Sequence, residues 1–363
     1  MASTATSVIS EEWQTSLTNQ LLSTIAAIPF FPALLLVPSI SLLLLYLRRS
    51  YLHPLSRVPG PALCRLTSLY LYIHSYLGDE ASLITRLHNI YGPVVRIGPN
   101  EVVIADGAVL SEIYTASENP ARGGFLKAPC YENFHGENGH ETIFSTLDPE
   151  YRKVRAKAVM PLFGAAELRR GHGVLEECVR RLVKRLKLEA RWSVRRREKV
   201  DVLALARMLA LDSVSEYLFG ECYGAIEQGV TAGKEDGEQE GVNERIHLDA
   251  AAYVESITAF GRFFFLPNGL FLRLMSAIEY FFPDPRAAAS LAKVDAYVTP
   301  MVDRAASGEE QKLVGTFQDR LLKAGVSKEE TAVQMKDVIF AGTDTTAMNL
   351  ATILWWLAKR PDV

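Results

Sequence analysis

Cysteine is scarce in this chain: four residues in 363, Cys64, Cys130, Cys178 and Cys222, with no two at C-x-x-C spacing. That excludes a disulfide framework and a structural zinc site, and it suits a reducing compartment. Charge of one sign is lacking as well. Lysine and arginine number 39 against 42 acids, a formal net charge of -3. Such a balance gives no overall basic field for nucleic acid, and the chain carries no nucleic-acid-binding motif. A composition of 48% hydrophobic and 22% charged residues excludes a disordered or collagen-like chain.

Charge is missing altogether between Trp13 and Leu47. Residues 27–47 are apolar enough, and at about 1.5 Å per residue long enough, to cross a hydrocarbon core of roughly 30 Å. Pro29, Pro32 and Pro38 interrupt this run, so 33–47 is its firmer part. A cleaved secretory signal would need a basic leader; here Glu11 and Glu12 precede the run and Arg48 and Arg49 follow it. A retained anchor is the reading adopted, and the positive-inside rule then leaves the body cytosolic and the N-terminus lumenal. His53-Pro54-Leu55 and Val58-Pro59-Gly60-Pro61 predict a stiff extended hinge over 48–62.

Beyond the hinge, a short helix is predicted over 82–91. Two strands, 94–97 and 102–104, are joined across Gly98-Pro99-Asn100. From Pro149 onward helical periodicity dominates, with helices over 151–162, 166–191, 200–219 and 250–262. The basic residues from Arg180 to Arg197 fit contact with anionic lipid or an acidic redox partner, or simply a solvated helix face. Residues 233–241 read as an exposed acidic loop. The run Phe263-Phe264-Phe265-Leu266-Pro267 fits buried core and a second membrane contact equally well.

Ser327 and Glu330 form a capping-box pattern, and helical periodicity then holds to Lys359, with Pro361 ending it. About 32 residues make roughly 48 Å of helix, long enough to run through the middle of a globular body. Near its centre lies a polar island, Ala341-Gly342-Thr343-Asp344-Thr345-Thr346, between apolar stretches. Each buried polar atom without a partner costs about 1–3 kcal/mol, so such a cluster needs a reason. Glycine lets something flat approach the backbone, and threonine hydroxyls bonding back one turn bend the ladder. The island therefore suits holding a small ligand and passing protons; a polar kink packed on another helix is the plainer alternative.

The order of these features, with the hairpin Tyr91-Gly92-Pro93-Val94-Val95-Arg96-Ile97-Gly98-Pro99-Asn100 and the island, resembles the first two-thirds of a fungal cytochrome P450 of secondary metabolism. The island matches that family's small-Gly-x-acid-Thr-Thr pattern at every position. The resemblance implies a mainly α fold, an incomplete cytochrome P450 fold with a small N-terminal β-sheet and an N-terminal transmembrane helix. Its parts are a lumenal 1–26, an anchor 27–47, a hinge 48–62 and a truncated catalytic domain 63–363. The implied cofactor is haem. The implied partners are a membrane, that of the endoplasmic reticulum, an NADPH-cytochrome reductase and a small lipophilic substrate such as a terpenoid or polyketide intermediate; nucleic acid is not among them.

By the same resemblance, Thr345 and Asp344 are the catalytic pair handling dioxygen and protons, while Ala341 and Gly342 give room at the haem face. Where the family shows His or Trp and, four residues later, an Arg to hold a haem propionate, this chain departs with Arg152 and Ala156; Arg155 next door, or Arg152 itself, still offers a propionate a guanidinium fork, although surface charges on a helix explain both equally well. Phe125, Tyr131, Phe134 and Phe144 fall in the variable region over the substrate. The family's haem loop, with its ligating cysteine, is absent, as is its later Glu-x-x-Arg helix. Glu167/Arg170 and Glu177/Arg180 have that spacing but read as surface pairs. The chain is thus expected to be inactive in oxidation and poorly soluble, the alternative being a non-catalytic membrane-anchored helical remnant or interaction protein.

Overall fold

The computed structural model describes residues 30–114, 125–136, 139–228, 230–231, 241–242, 251–252, 254–255, 261–263, 266–360 and 362. Within them the chain forms two compact units, 1–109 and 110–363.

The first unit opens with α1 (Phe30–Leu47), followed by a π-helical turn over Arg48–Leu52 and three helices, α2 (Ala62–Leu66), α3 (Leu69–Leu77) and α4 (Glu80–Tyr91). The expected spanning helix 27–47 is not found. Residues 27–29 lie outside those described, and the described part is α1, of 18 residues. Among the described residues no helix is long and apolar enough to cross a membrane.

The hairpin is present as antiparallel β1 (Val94–Gly98) and β2 (Glu101–Ile104), with a register shift between Arg96 and Gly98. Arg96 organises what the sequence suggested was a stiff extended hinge. Buried to 1% exposure, it donates to the carbonyls of Arg49, Leu55, Gly98 and Pro99, while its own amide donates to Pro59 O at 2.7 Å. Gly60 lies so close that any side chain there would strike the Arg96 carbonyl. The proline segment is therefore fastened to the hairpin rather than extended as a spacer, because a buried guanidinium recruits carbonyls wherever the chain can offer them.

The second unit is helical: α5 (Leu110–Tyr114), α6 (Pro149–Val159), α7 (Ala165–Arg170), α8 (His172–Arg196), α9 (Val202–Val214), α10 (Asn268–Phe281), α11 (Pro285–Ser307), α12 (Phe317–Lys323) and α13 (Lys328–Lys359). A two-residue pairing, β3 (Val230–Thr231) with β4 (Gly241–Val242), is also present. The predicted helix 166–191 is split at Gly171, where the Tyr217 ring lies against the backbone and leaves no room for a side chain. The predicted helix 200–219 ends as an α-helix at Val214 and continues as a π-turn, Ser215–Phe219. Most of the predicted 233–241 loop and 250–262 helix, and part of the 263–267 run, lie outside the described residues.

The core gathers Leu205, Met208 and Leu211 of α9, Phe219, Val298 and Met301 of α11, Phe317 and Leu321 of α12, and Met335 and Ile339 of α13. The long helix α13 packs mainly along α9 and also against α11 and α12. Ser327 Oγ caps it by accepting from Glu330 N at 3.1 Å. The reciprocal half of the capping box is replaced, because the Glu330 side chain is taken by Arg155 and Tyr151 of α6.

Candidate functional site

The periodicity of α13 sorts its central island onto two faces. Ile339, Thr343, Asp344 and Ala347 are buried against the core, whereas Ala341, Thr345, Met348, Asn349 and Thr352 form an exposed stripe. One helical step of about 100° thus separates two residues that are adjacent in sequence and were expected to act together.

Asp344 sits on the buried face at 8% exposure. Its Oδ1 accepts from Arg207 Nε at 3.0 Å and Nη2 at 2.8 Å, and Arg207 Nη1 donates to Glu255 Oε1 at 2.8 Å. The sequence reading missed Arg207. Its signal was there: a lone cation within Val202-Leu-Ala-Leu-Ala-Arg-Met-Leu-Ala-Leu, an otherwise apolar helix, has to find an acid on burial.

Thr345 lies on the exposed stripe, and its hydroxyl donates to Ala341 O at 2.8 Å, the back-bond to the preceding turn that the island suggested. Asn349 Nδ2 bonds Thr345 O, and Thr352 Oγ1 bonds Met348 O, so one face carries three such bonds within two turns. With its proton engaged, the Thr345 oxygen presents lone pairs outward and acts as an acceptor. Thr343 is the island's unsatisfied member, fully buried with no partner for its hydroxyl.

Gly342 faces Val214 of α9. A Cβ placed there would stand 2.6 Å from Val214 Cγ2, so the missing side chain lets α9 and α13 approach each other. The open stripe is made instead by Ala341 and Thr345.

The two arginines of α6 part company. Arg155 forks onto Glu330, with Nη2 at 2.9 Å from Oε2 and Nε on Oε1, and its guanidinium stacks 3.4 Å from the Tyr151 ring centroid. That pair is 15% and 14% exposed, and it ties α6 to the start of α13. Burial raises the Glu330 carboxyl, but Arg155 and the Tyr151 hydroxyl outweigh this and hold it below the ordinary carboxylate value. Arg155 is thus engaged within the protein, with Glu330. Arg152 lines a small cleft with Lys127 and Asp148 among Phe125, Leu126 and Leu147.

The resemblance implies haem as the cofactor, and the residues present fit one side of it. The stripe from Ala341 to Thr352 is open and free of core contacts, as a flat ligand requires. Burial raises the thiols of Cys64, Cys178 and Cys222, the last two to about 11 and about 12. Cys178 and Cys222 both pack on Arg181, which pairs with Glu216. Cys130 sits in a short turn against α10. Among the described residues no group of His, Cys, Asp and Glu is arranged for a metal ion.

The remaining sequence readings divide as follows. Glu167/Arg170, 2.8 Å apart, and Glu177/Arg180 are i,i+3 pairs with exposed arginines. The basic face of α8 is solvated at Arg180, Lys184, Lys187 and Arg191 but not at Arg185, which is 2% exposed and bonds Glu189 and the carbonyls of Ile226 and Gln228.

The cytochrome P450 family model matches residues 59–363. The chain belongs to the cytochrome P450 family. It is 36% identical over 321 residues to the cytochrome P450 monooxygenase mfmF of Annulohypoxylon moriforme, covering 86% of this chain and 62% of that protein. It is 26% identical over 331 residues to the cytochrome P450 monooxygenase tazI of Aspergillus terreus, covering 88% and 61%. With the N-acetyltryptophan 6-hydroxylase ivoC of Emericella nidulans it shares 25% identity over 356 residues, covering 94% and 64%. The chain thus spans about six-tenths of the length of these relatives. For this P450 the exposed stripe of α13 is the candidate distal surface, with Arg207 and Asp344 directly behind it.

Proposed function

We propose that this chain supplies the distal, oxygen-handling face of a haem-thiolate monooxygenase of fungal secondary metabolism. The single observation carrying this reading is the exposed Ala341 and Thr345 stripe on a helix whose opposite face is packed into the core. In it, Thr345 offers an acceptor oxygen at the open face, and Asp344, held by Arg207, provides an acid one position behind. Haem, when bound, supplies the oxidising chemistry; the chain's own residues orient water and small ligands along the stripe. The substrate is a small lipophilic metabolite of terpenoid or polyketide type, a choice supported by the clustered rings of Tyr131 and Phe134, whose centroids lie 5.3 and 5.4 Å from that of Phe144. Electrons come from an NADPH-cytochrome reductase.

In the same proposal the body lies on the cytosolic side of the endoplasmic reticulum membrane. Exposed Leu36, Val37, Ile40, Leu42, Leu43 and Leu44 of α1, followed by Arg48 and Arg49, favour lipid contact.

In the same proposal none of the four cysteines, Cys64, Cys130, Cys178 and Cys222, is the haem ligand, since none stands in the family's haem-loop pattern. The test is to add haemin to the purified chain and record its ferrous carbon monoxide spectrum. No thiolate-haem band is expected; a stoichiometric one, lost on substituting one of the four cysteines, would overturn this reading.

A further inference from the structure

Between Glu12 and Asp79 the sequence has no acid at all, but it has Arg48, Arg49, Arg57 and Arg65. The first unit folds these arginines together. Arg49 Nη1 donates to Leu66 O at the end of α2, and Arg65 Nη1 reaches back to Ser50 O at 3.3 Å and Ser56 O at 3.5 Å. The π-turn Arg48–Leu52 and α2 are thus clasped reciprocally, each by the other's arginine. Buried Arg96 joins them through the carbonyls of Arg49 and Leu55.

Every one of these bonds ends on a neutral main-chain carbonyl. Among the described residues the ion pairs of this unit are His74 and Arg86 with Asp79, so no acid pairs with the arginine cluster. Glu101, in the neighbouring hairpin, is engaged by the Ser68 hydroxyl at 3.4 Å. Burial, and then the charges of Arg65 and Arg49, push the Arg96 guanidinium below its ordinary value. Like charges held this close lack a counter-ion, and an anion would relieve them. Nε and Nη2 of Arg49 and Arg65 have no protein partner among the described residues, and that edge of the fork is the one that takes two oxygens of a phosphate.

The rim of the cluster is apolar. Tyr51 and Leu52 are 75% and 82% exposed, Leu47 and Leu63 are exposed beside them, and the patch continues the exposed leucines of α1. Inorganic phosphate gains nothing from such a rim. A phospholipid uses both parts, its phosphate on the guanidiniums and its glycerol and acyl carbons against tyrosine and leucine.

We propose that the first unit binds the headgroups of an anionic phospholipid leaflet through Arg49 and Arg65, with exposed Arg48 and Arg57 as further cations and Tyr51 and Leu52 entering the interface. The proposal rests on the lipid contact of α1 and adds to it a preference for negatively charged lipid.

The test is flotation of the purified 363-residue chain with vesicles of phosphatidylcholine alone and of phosphatidylcholine with phosphatidylserine, read as the ratio of the two partition coefficients. Each arginine at an anionic surface strengthens partition about fivefold, so a ratio of at least about tenfold is expected at low salt, declining as salt is added. Arg65→Gln should lower the ratio about fivefold, and Arg65→Lys, which keeps the charge, should lower it less. Arg57→Gln, at an exposed position, should lower it as well without removing a bond to a carbonyl. Arg86→Gln takes an exposed arginine from α4 of the same unit and should leave the ratio unchanged. A ratio near one, an Arg86→Gln effect as large as that of Arg65→Gln, or an Arg65→Gln loss equal on both vesicles would overturn the proposal. So would displacement by inorganic phosphate beyond that by sodium chloride of equal ionic strength, because the ligand would then be a free anion. Equal binding to both vesicles sinks this inference alone, whereas binding to neither also sinks the lipid contact of α1.

Discussion

Arg207 places two nitrogens on a single oxygen of Asp344, Nε at 3.0 Å and Nη2 at 2.8 Å, with the two side chains only 13% and 12% exposed. An ion pair this well covered joins α9 to the centre of α13 beneath the open stripe. Its worth lies more in what breaking it would cost than in the pair itself, because removing one partner strands a charge that has already lost its water.

Arg207→Met should therefore destabilise the chain by about 3 kcal/mol. The double substitution Arg207→Met with Asp344→Leu should recover most of that loss. Denaturant midpoints of the two single variants and the double variant give the coupling directly. A double variant no better than Arg207→Met would mean that the cost is one of packing rather than of charge.

Gly342→Ala tests the role of the glycine as a spacer between helices. The added methyl would meet Val214 at 2.6 Å, an overpacking that costs about 1–3 kcal/mol. The better helix propensity of alanine returns about 1 kcal/mol. A net loss of stability is expected, and Val214→Ala in the same chain should relieve it. Thermal melts of the pair decide; a stabilised single variant would show that Val214 yields freely.

The ion pair at the start of α13 predicts an acid limb. Arg155 and Tyr151 lower the Glu330 carboxyl in the folded chain against their opposing burial cost. Its contribution is fully present above the ordinary value of 4.5 and is lost as pH falls through the lowered one. The melting temperature should accordingly fall on acidification below about pH 4.5. In Glu330→Gln that part of the slope should vanish, with the melting temperature already reduced at neutral pH.

Thiol chemistry offers a fourth check. Burial and Glu216 push Cys178 to about 11, and burial and Asp212 push Cys222 to about 12. Both should resist alkylation by iodoacetamide at mildly alkaline pH, while half-exposed Cys130 reacts first. Mass spectrometry of the partly labelled chain reads the order, and early labelling of Cys178 would contradict the packing around Arg181.

The sequence foresaw local structure well. Turn chemistry at Gly98-Pro99-Asn100 marked the hairpin, and Ser327 with Pro361 bracketed α13, which runs over Lys328–Lys359. It failed where the deciding contact came from elsewhere in the chain. The split of 166–191 depends on Tyr217 over Gly171, and the fastening of the supposed hinge depends on Arg96. Glu330 looked like half of a capping box and was taken instead by an arginine 175 residues away.

What the amino-acid sequence determined by itself was therefore the hairpin, the bounds of the long helix, the polar island and the family, because caps, turns and periodicity act through backbone groups only a few residues apart. Tertiary packing alone decided which face of α13 is open. It buried Asp344 against Arg207, 137 residues earlier, and left Thr345 exposed one position further on. It also turned Gly342 toward Val214 and withdrew Arg155 to Glu330. The physical reason is that a buried charge or a missing side chain takes its meaning from the partner that desolvates or approaches it, and that partner is chosen by the fold rather than by sequence distance.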